Sequence, residues 1–292
     1  MLFPHQQQVF KSLLQTARVC FGSSWQSLPI RPRFARFVSG PSGAGKTHVA
    51  RAVAEEIGMP FFAVDASTWI PLGASSRGAT FTWIEIGRWL RENPQGIVFL
   101  DELDKVGSSP EGWLNYVRVE IFSLLDRRLP AGLSLYETED QEDSQRHAIE
   151  LGVVAQRLAQ GVFFIGAGAF QNIWESRGKA VAGFHLAEKN DAGLTHRQMA
   201  QAIPTEMANR FTSPILALRQ LSKEDYELML RRCVRSLPKG LAGKVEGIGR
   251  KSLDDAVDNR LGVRWLEEIM LRALIYREEV GASVVQELPK IG

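Results

Sequence analysis

The eight residues Gly40-Pro41-Ser42-Gly43-Ala44-Gly45-Lys46-Thr47 match the pattern G-x-x-x-x-G-K-[ST], with an apolar run over residues 34–39 before them and a helical run over 46–57 behind. Glycines let the backbone fold so that its N–H groups converge, and a helix opening directly behind the loop adds the positive end of its dipole. Strand, tight glycine loop and helix in that order commit this part of the chain to an α/β arrangement. The ring of N–H groups is an anion cradle, to which Lys46 adds charge and Thr47 a hydroxyl able to hold Mg²⁺. A nucleoside triphosphate site is therefore expected at Gly40, Pro41, Ser42, Gly43, Ala44, Gly45, Lys46, Thr47 and His48.

The rest of the chain supports that architecture. Short apolar runs alternate with helical ones over residues 34–39, 46–57, 61–65, 79–92, 97–101, 113–126 and 162–167. Such alternation argues for a parallel sheet covered on both faces. A lead helix is expected over 6–19, followed by a loop over 21–32. Behind residue 214 the pattern turns helical over 223–234, 250–258 and 263–277, and 283–286 reads as a short strand. The expected organisation is a lead helix and linker (1–32), a large nucleotide-binding α/β domain (33–214) and a small, mostly helical lid domain (215–292).

Residues 96–102 form an apolar run ending in Asp101 and Glu102. Two carboxylates at the end of a buried strand are tolerated where they face a cleft, and in parallel sheets that is where clefts lie. Asp101 is placed to hold Mg²⁺ alongside Thr47, making these two the candidate metal ligands. Glu102 is placed to polarise a water for in-line attack on a γ-phosphate.

Together with Asp101-Glu102-Leu103-Asp104-Lys105, the glycine loop resembles the Walker A and Walker B motifs of AAA+ ATPases, most of all the ClpX and HslU group of unfoldases. Asp65-Ala66-Ser67-Thr68 resembles the segment after that group's second strand, and the stretch from Phe163 to Phe170 its strand before sensor 1. Ile203-Pro204-Thr205-Glu206-Met207-Ala208-Asn209-Arg210-Phe211 resembles the arginine-finger segment, and Leu261-Gly262-Val263-Arg264-Trp265-Leu266 the start of the sensor 2 helix. The resemblance implies ATP and Mg²⁺ as ligands, and ATP hydrolysis as the activity. It also implies Arg210 as a finger completing a neighbour's site, Arg264 as a sensor of the same phosphates in cis, and a ring, by the family's habit a hexamer. Sensor 1 has no polar residue at Gly168, Ala169 or Phe170; Gln171 and Asn172 are the first polar candidates.

Two departures limit the likeness. Residues 71–79, where the group carries an aromatic pore paddle, contain glycines and no aromatic. A paddle needs a bulky side chain to push with. Ala182-Gly183-Phe184 is a weak three-residue match to the group's peptidase-docking loop, so peptidase docking is not the expected use. Trp83 and Phe81 read as core, and Trp69 is left open.

Composition narrows the remaining classes. Lys plus Arg is 35 against 33 Asp plus Glu, a net charge of +2, so nucleic-acid binding would need a local patch. Two clusters are available, Arg31, Arg33 and Arg36, and Arg231, Arg232, Arg235, Lys239 and Lys244; both read as solvated faces. The acidic stretch 137–144 reads as an exposed loop or an interaction loop. Cys20 and Cys233 stand far apart without ligand spacing, as thiols of a reducing compartment do. With no basic leader and no apolar run long enough to span a bilayer, a cytoplasmic protein without membrane contact is expected. The functional expectation is an ATP-driven ring that remodels a protein or protein complex. A nucleic-acid accessory factor and a nucleotide-switched scaffold of low turnover remain alternatives.

Overall fold

The computed structural model describes residues 2–72, 74, 80–107, 112–135, 141–171, 173 and 195–286, and of these residues 113, 141–146, 196 and 276–286 by backbone alone. In chain order the elements are α1 (Gln7–Phe21), β1 (Ala35–Ser39), α2 (Lys46–Ile57), β2 (Phe61–Asp65), α3 (Thr82–Glu92), β3 (Gly96–Asp101), α4 (Trp113–Leu125), α5 (Gln141–Gln160) and β4 (Val162–Gly168). Two short helices follow, α6 (His196–Met199) and α7 (Thr205–Ala208), then β5 (Thr212–Ala217), α8 (Lys223–Arg235), α9 (Lys239–Lys251), α10 (Leu253–Asp258) and α11 (Arg264–Gln286).

The strands form one parallel sheet in the order β2-β3-β4-β1-β5. Its inner strands are apolar on both faces because both are covered, and successive side chains of a strand point to opposite faces. Ile97 and Phe99 of β3 join Val9 and Leu13 of α1 and Val49 and Val53 of α2. Val98 and Leu100 point the other way, into a core with Trp83 of α3, Ile121 of α4 and Leu158 of α5. The α/β fold read from the alternating pattern is the fold observed.

Arg127, just past α4, ties the two sides of this core together. Its guanidinium donates to the carbonyls of Leu158 (2.8 Å), Val162 (2.8 Å) and Phe34 (3.4 Å) and lies 5.0 Å from the Phe164 ring centroid. Burial brings its pKa down to about 10.

A separate helical core collects Tyr226, Met229, Val245, Trp265 and Ile269 from α8, α9 and α11, and Phe3 and Leu221 insert into it from outside. No helix among the described residues is long and apolar enough to cross a membrane.

Several elements differ from the expectations. The boundary expected at 214/215 falls inside β5, which pairs with β1 as an edge strand. Pro214 conceals this strand in the sequence, yet an edge strand tolerates a residue without an N–H donor. Residues 141–144, expected as loop, open α5; residues 136–140 lie outside the description. Residues 283–286, expected as a strand, continue α11, because two β-branched residues do not stop a helix already propagating. The helix expected over 250–258 is the end of α9 plus α10.

The basic cluster at Arg31, Arg33 and Arg36 is a solvated face only in part: Arg33 is exposed and Arg31 half-buried. Arg36 is 8% exposed and donates to the Ser213 carbonyl (3.0 Å) and Ser12 Oγ (3.1 Å). Arg33 donates to the Asn209 carbonyl, and Arg31 stacks 4.7 Å from the Trp25 ring centroid.

Candidate nucleotide site

The C-terminal ends of the central strands gather the site. β1 runs into the glycine loop, β3 ends at Asp101, and β4 ends at Gly168, which sits opposite Ser39 in the register. The loop then enters α2 through Gly45, at φ 86°, with Gly43 at φ 77°. Only glycine adopts such angles without strain, so the sequence pattern and the turn agree. Space demands glycine at Gly43 and adds less at Gly45, where the atom met is the end of the Gln6 side chain. A Cβ on Gly43 would lie 2.7 Å from the Leu261 carbonyl oxygen, and one on Gly45 would lie 2.2 Å from Gln6 Nε2.

A cleft of about 310 Å³ opens above this loop, lined by Ser42, Gly43, Gly45, Lys46, Thr47 and His48, by Asp101, Glu102, Asp104 and Lys105, and by Ala169, Val263, Arg264 and Glu267. Lys46 Nζ donates to the carbonyls of Gly40 (2.9 Å) and Pro41 (3.2 Å). Burial pushes the Lys46 ammonium below its ordinary pKa. Asp101, Asp104 and Glu102 pull it back up, and Arg264 adds to the lowering. Thr47 Oγ1 donates to Asp101 Oδ2 at 2.9 Å, and Asp101 Oδ1 accepts the Glu102 amide at 2.9 Å. Glu102 takes φ 54°, a left-handed backbone uncommon for a residue with a side chain.

The loop is held from two sides. The Ala44 carbonyl takes hydrogen bonds from His5 Nε2 (3.2 Å) and Gln6 Nε2 (3.2 Å). The Gly43 carbonyl accepts the Val263 amide at 3.0 Å, and Tyr226 Oη accepts the Gly262 amide at 2.8 Å. Arg264, the first residue of α11, thereby reaches the cleft edge.

Of the residues expected from the sequence, Ser42, Gly43, Gly45, Lys46, Thr47, His48, Asp101, Glu102 and Arg264 come together here, with Gly40, Pro41 and Ala44 as framework. Arg210 does not join them. Its guanidinium makes a bidentate pair with Asp126 (2.8 and 2.7 Å), donates to the Glu206 carbonyl (2.7 Å) and lies 4.4 Å from the Phe122 ring centroid.

Trp69, left open above, is buried; its Nε1 donates to Glu120 Oε2 at 2.8 Å. Gln171 is exposed, while Asn172, most of 71–79 (73 and 75–79) and Ala182-Gly183-Phe184 lie outside the described residues. His5, Gln6, Asp104 and Glu267 were not singled out from the sequence. Only Asp104 carried a signal, standing inside the quoted Asp-Glu-x-Asp-Lys stretch.

The site's chemistry suits Mg²⁺ with a nucleotide. Thr47 and Asp101 offer adjacent hard oxygens, and Mg²⁺ commonly takes one or two protein ligands and completes its shell with water and phosphate oxygens. Among the described residues no group of three or more His, Cys, Asp and Glu side chains is placed to hold a metal.

Comparison with known proteins agrees with this geometry. Residues 37–169 match the family model described as ATPase family associated with various cellular activities (AAA). The chain is 42% identical over 73 residues to the ATP-dependent zinc metalloprotease FtsH of Methylococcus capsulatus, covering 25% of this chain and 11% of that protein. It is 37% identical over 90 residues to FtsH 1 of Sorangium cellulosum, covering 31% and 14%. A segment of 72 residues is 43% identical to the probable inactive FTSHI 2 of Arabidopsis thaliana, covering 23% and 8%. The chain thus spans about a tenth of the length of these curated relatives. These relatives are FtsH proteins, so the narrower likeness to ClpX and HslU expected from the sequence finds no support in them. The glycine loop, Asp101-Glu102 and strands β2, β3 and β4 fall within residues 37–169, the segment that matches the AAA ATPase model, whereas β5 lies beyond it.

Proposed function

We propose that the chain hydrolyses ATP in the cleft above the glycine loop, that each site is completed by a neighbouring copy in a ring, by expectation a hexamer, and that the ring remodels a protein or protein complex. The observation that carries the hydrolytic part is the junction of Thr47, Asp101 and Glu102. The Thr47–Asp101 hydrogen bond brings together the two oxygens that would hold Mg²⁺, and the amide of Glu102 is bonded to the same Asp101 carboxylate. Glu102 polarises the attacking water, the loop amides and Lys46 hold the phosphates, and Arg264 faces them from α11. Mg²⁺, when bound with ATP, supplies charge that neutralises the β- and γ-phosphates.

Arg210 supports the composite site. It stands outside its own chain's cleft, so a part in hydrolysis would lie in a neighbour's site, and its bidentate pair with Asp126 would have to open for it. The FtsH relatives of Methylococcus capsulatus and Sorangium cellulosum are ATP-dependent by name, in agreement with the energy source. The nucleic-acid reading has less support, because Arg36 of its first basic cluster is buried in the fold.

Glu102→Gln tests the hydrolytic assignment. Steady-state turnover should fall about 100-fold or more, with ATP affinity within about threefold of wild type. Turnover at the wild-type rate would remove Glu102 from the role.

A further inference from the structure

Asp104 lines the same cleft as Glu102, and its carboxylate is occupied in a specific way. Oδ1 accepts the Ala169 amide at 3.1 Å and Oδ2 accepts the Phe170 amide at 3.2 Å. These bonds run from the turn after β3 to the end of β4, joining 65 and 66 positions apart in sequence.

Both sides of this tie are conformationally demanding. On the β4 side the chain bends sharply. Phe170 takes φ 50° and packs its ring 5.6 Å from that of Phe37, and a Cβ on Gly168 would lie 3.0 Å from Asp104 Oδ1 and 2.7 Å from the Phe170 ring. On the β3 side Asp104 stands in the single turn Leu103–Lys105, which begins where the Lys105 amide bonds the Glu102 carbonyl at 2.9 Å. Glu102 is left-handed, a conformation that persists only where the surroundings enforce it. Asp101 grips Glu102 from the strand side through its amide; Asp104 pins the turn on the other side. Gly168, Ala169 and Phe170 bring no polar side chain to this end of β4, so what β4 contributes to the cleft is its backbone, and Asp104 holds that backbone.

We propose that Asp104 is a positioning residue of the hydrolytic step: by fastening the end of β4 to the turn that carries Glu102, it keeps the Glu102 carboxylate aligned with the attacking water. The inference rests on the ATPase reading above. A misplacement of about 1 Å at a reacting group costs about 100-fold in rate while leaving ground-state binding largely intact.

Asp104→Ala and the near-isosteric Asp104→Asn test it against an active wild type. Alanine removes both acceptors and should lower kcat about 10- to 100-fold, with KM for ATP within about threefold. Asparagine keeps one acceptor oxygen and should fall between alanine and wild type, even if alanine also weakens the fold. In single turnover with enzyme in excess, Glu102→Gln/Asp104→Ala should be no slower than Glu102→Gln alone, because Asp104 acts through Glu102. Full turnover in both Asp104 variants, a raised KM with unchanged kcat, or multiplied losses in the double variant would each overturn the inference while sparing the ATPase reading. A wild-type chain that hydrolyses no ATP would sink both.

Discussion

His5 shows how much a single residue's task depends on contacts that no local pattern announces. Its ring stacks on Phe3 at 6.3 Å, its Nε2 bonds the Ala44 carbonyl, and its Nδ1 is buried without a hydrogen-bond partner among the described residues. Burial lowers its pKa from 6.5; the Ala44 carbonyl and Asp225 oppose this, and Arg219 adds to it. The folded chain therefore holds the proton less tightly than the unfolded chain. Stability from this group is present above about pH 6.5 and is lost as pH falls toward the lowered folded value. His5→Gln, which can still donate to Ala44, removes the titration. Between pH 8 and 5.5 the wild-type melting temperature should fall more than that of His5→Gln; parallel curves would contradict a buried neutral imidazole. Gly43, Gly45, Lys46, Thr47, Asp101 and Glu102 were readable beforehand because their chemistry needs fixed types at fixed spacing. His5 and Gln6 were not, since their partners lie 39 and 38 residues away, and for Asp104 the motif showed the residue but not its tie to a backbone 65 residues on.

Elements were legible where burial imposes a period and hidden where a local residue contradicts its surroundings. β3 and β4 are nearly continuous apolar runs because both faces of the sheet are covered, while β1 also buries Arg36 and Ser39. α9 was hidden by Gly240, Gly243, Gly247 and Gly249, which argue against a helix on propensity alone. Packing explains one of them: a Cβ on Gly249 would lie 2.6 Å from Leu230 Cδ1, so α8 and α9 approach closely there. The turn before α11 is the element on which the site most depends. Gly262 has φ 64°, and a Cβ there would lie 2.2 Å from the Gly43 carbonyl oxygen. Gly262→Ala must displace either the glycine loop or the start of α11. ATP affinity should drop about tenfold or more while far-ultraviolet circular dichroism stays native, the cost of a strained left-handed residue added to the clash. Unchanged affinity would mean that the loop does not depend on this turn.

At the scale of the whole molecule, the glycine loop is where three parts meet. The lead segment bonds Ala44, the sheet supplies Asp101 and Glu102, and the helical core reaches Gly43 through Val263. Phe3, at the very start, packs in that helical core and not against the sheet. A change in the loop therefore has a short path to α11, whose first residue is Arg264. The sequence alone could announce the loop and the strand, because each is local. It could not announce how copies meet, because that depends on surfaces assembled from distant residues. Arg210 is the residue on which the composite site turns, held by Asp126 in the isolated chain with its side chain 22% exposed. The most direct test mixes two defective subunits. Arg210→Ala retains an intact loop, Lys46→Ala retains the arginine, and each alone should show little turnover. Mixed in equal amounts they should regain up to about a quarter of the wild-type rate per subunit, the share of random interfaces that pair an intact loop with an intact arginine. A mixture no faster than the sum of its parts would contradict a site completed by its neighbour.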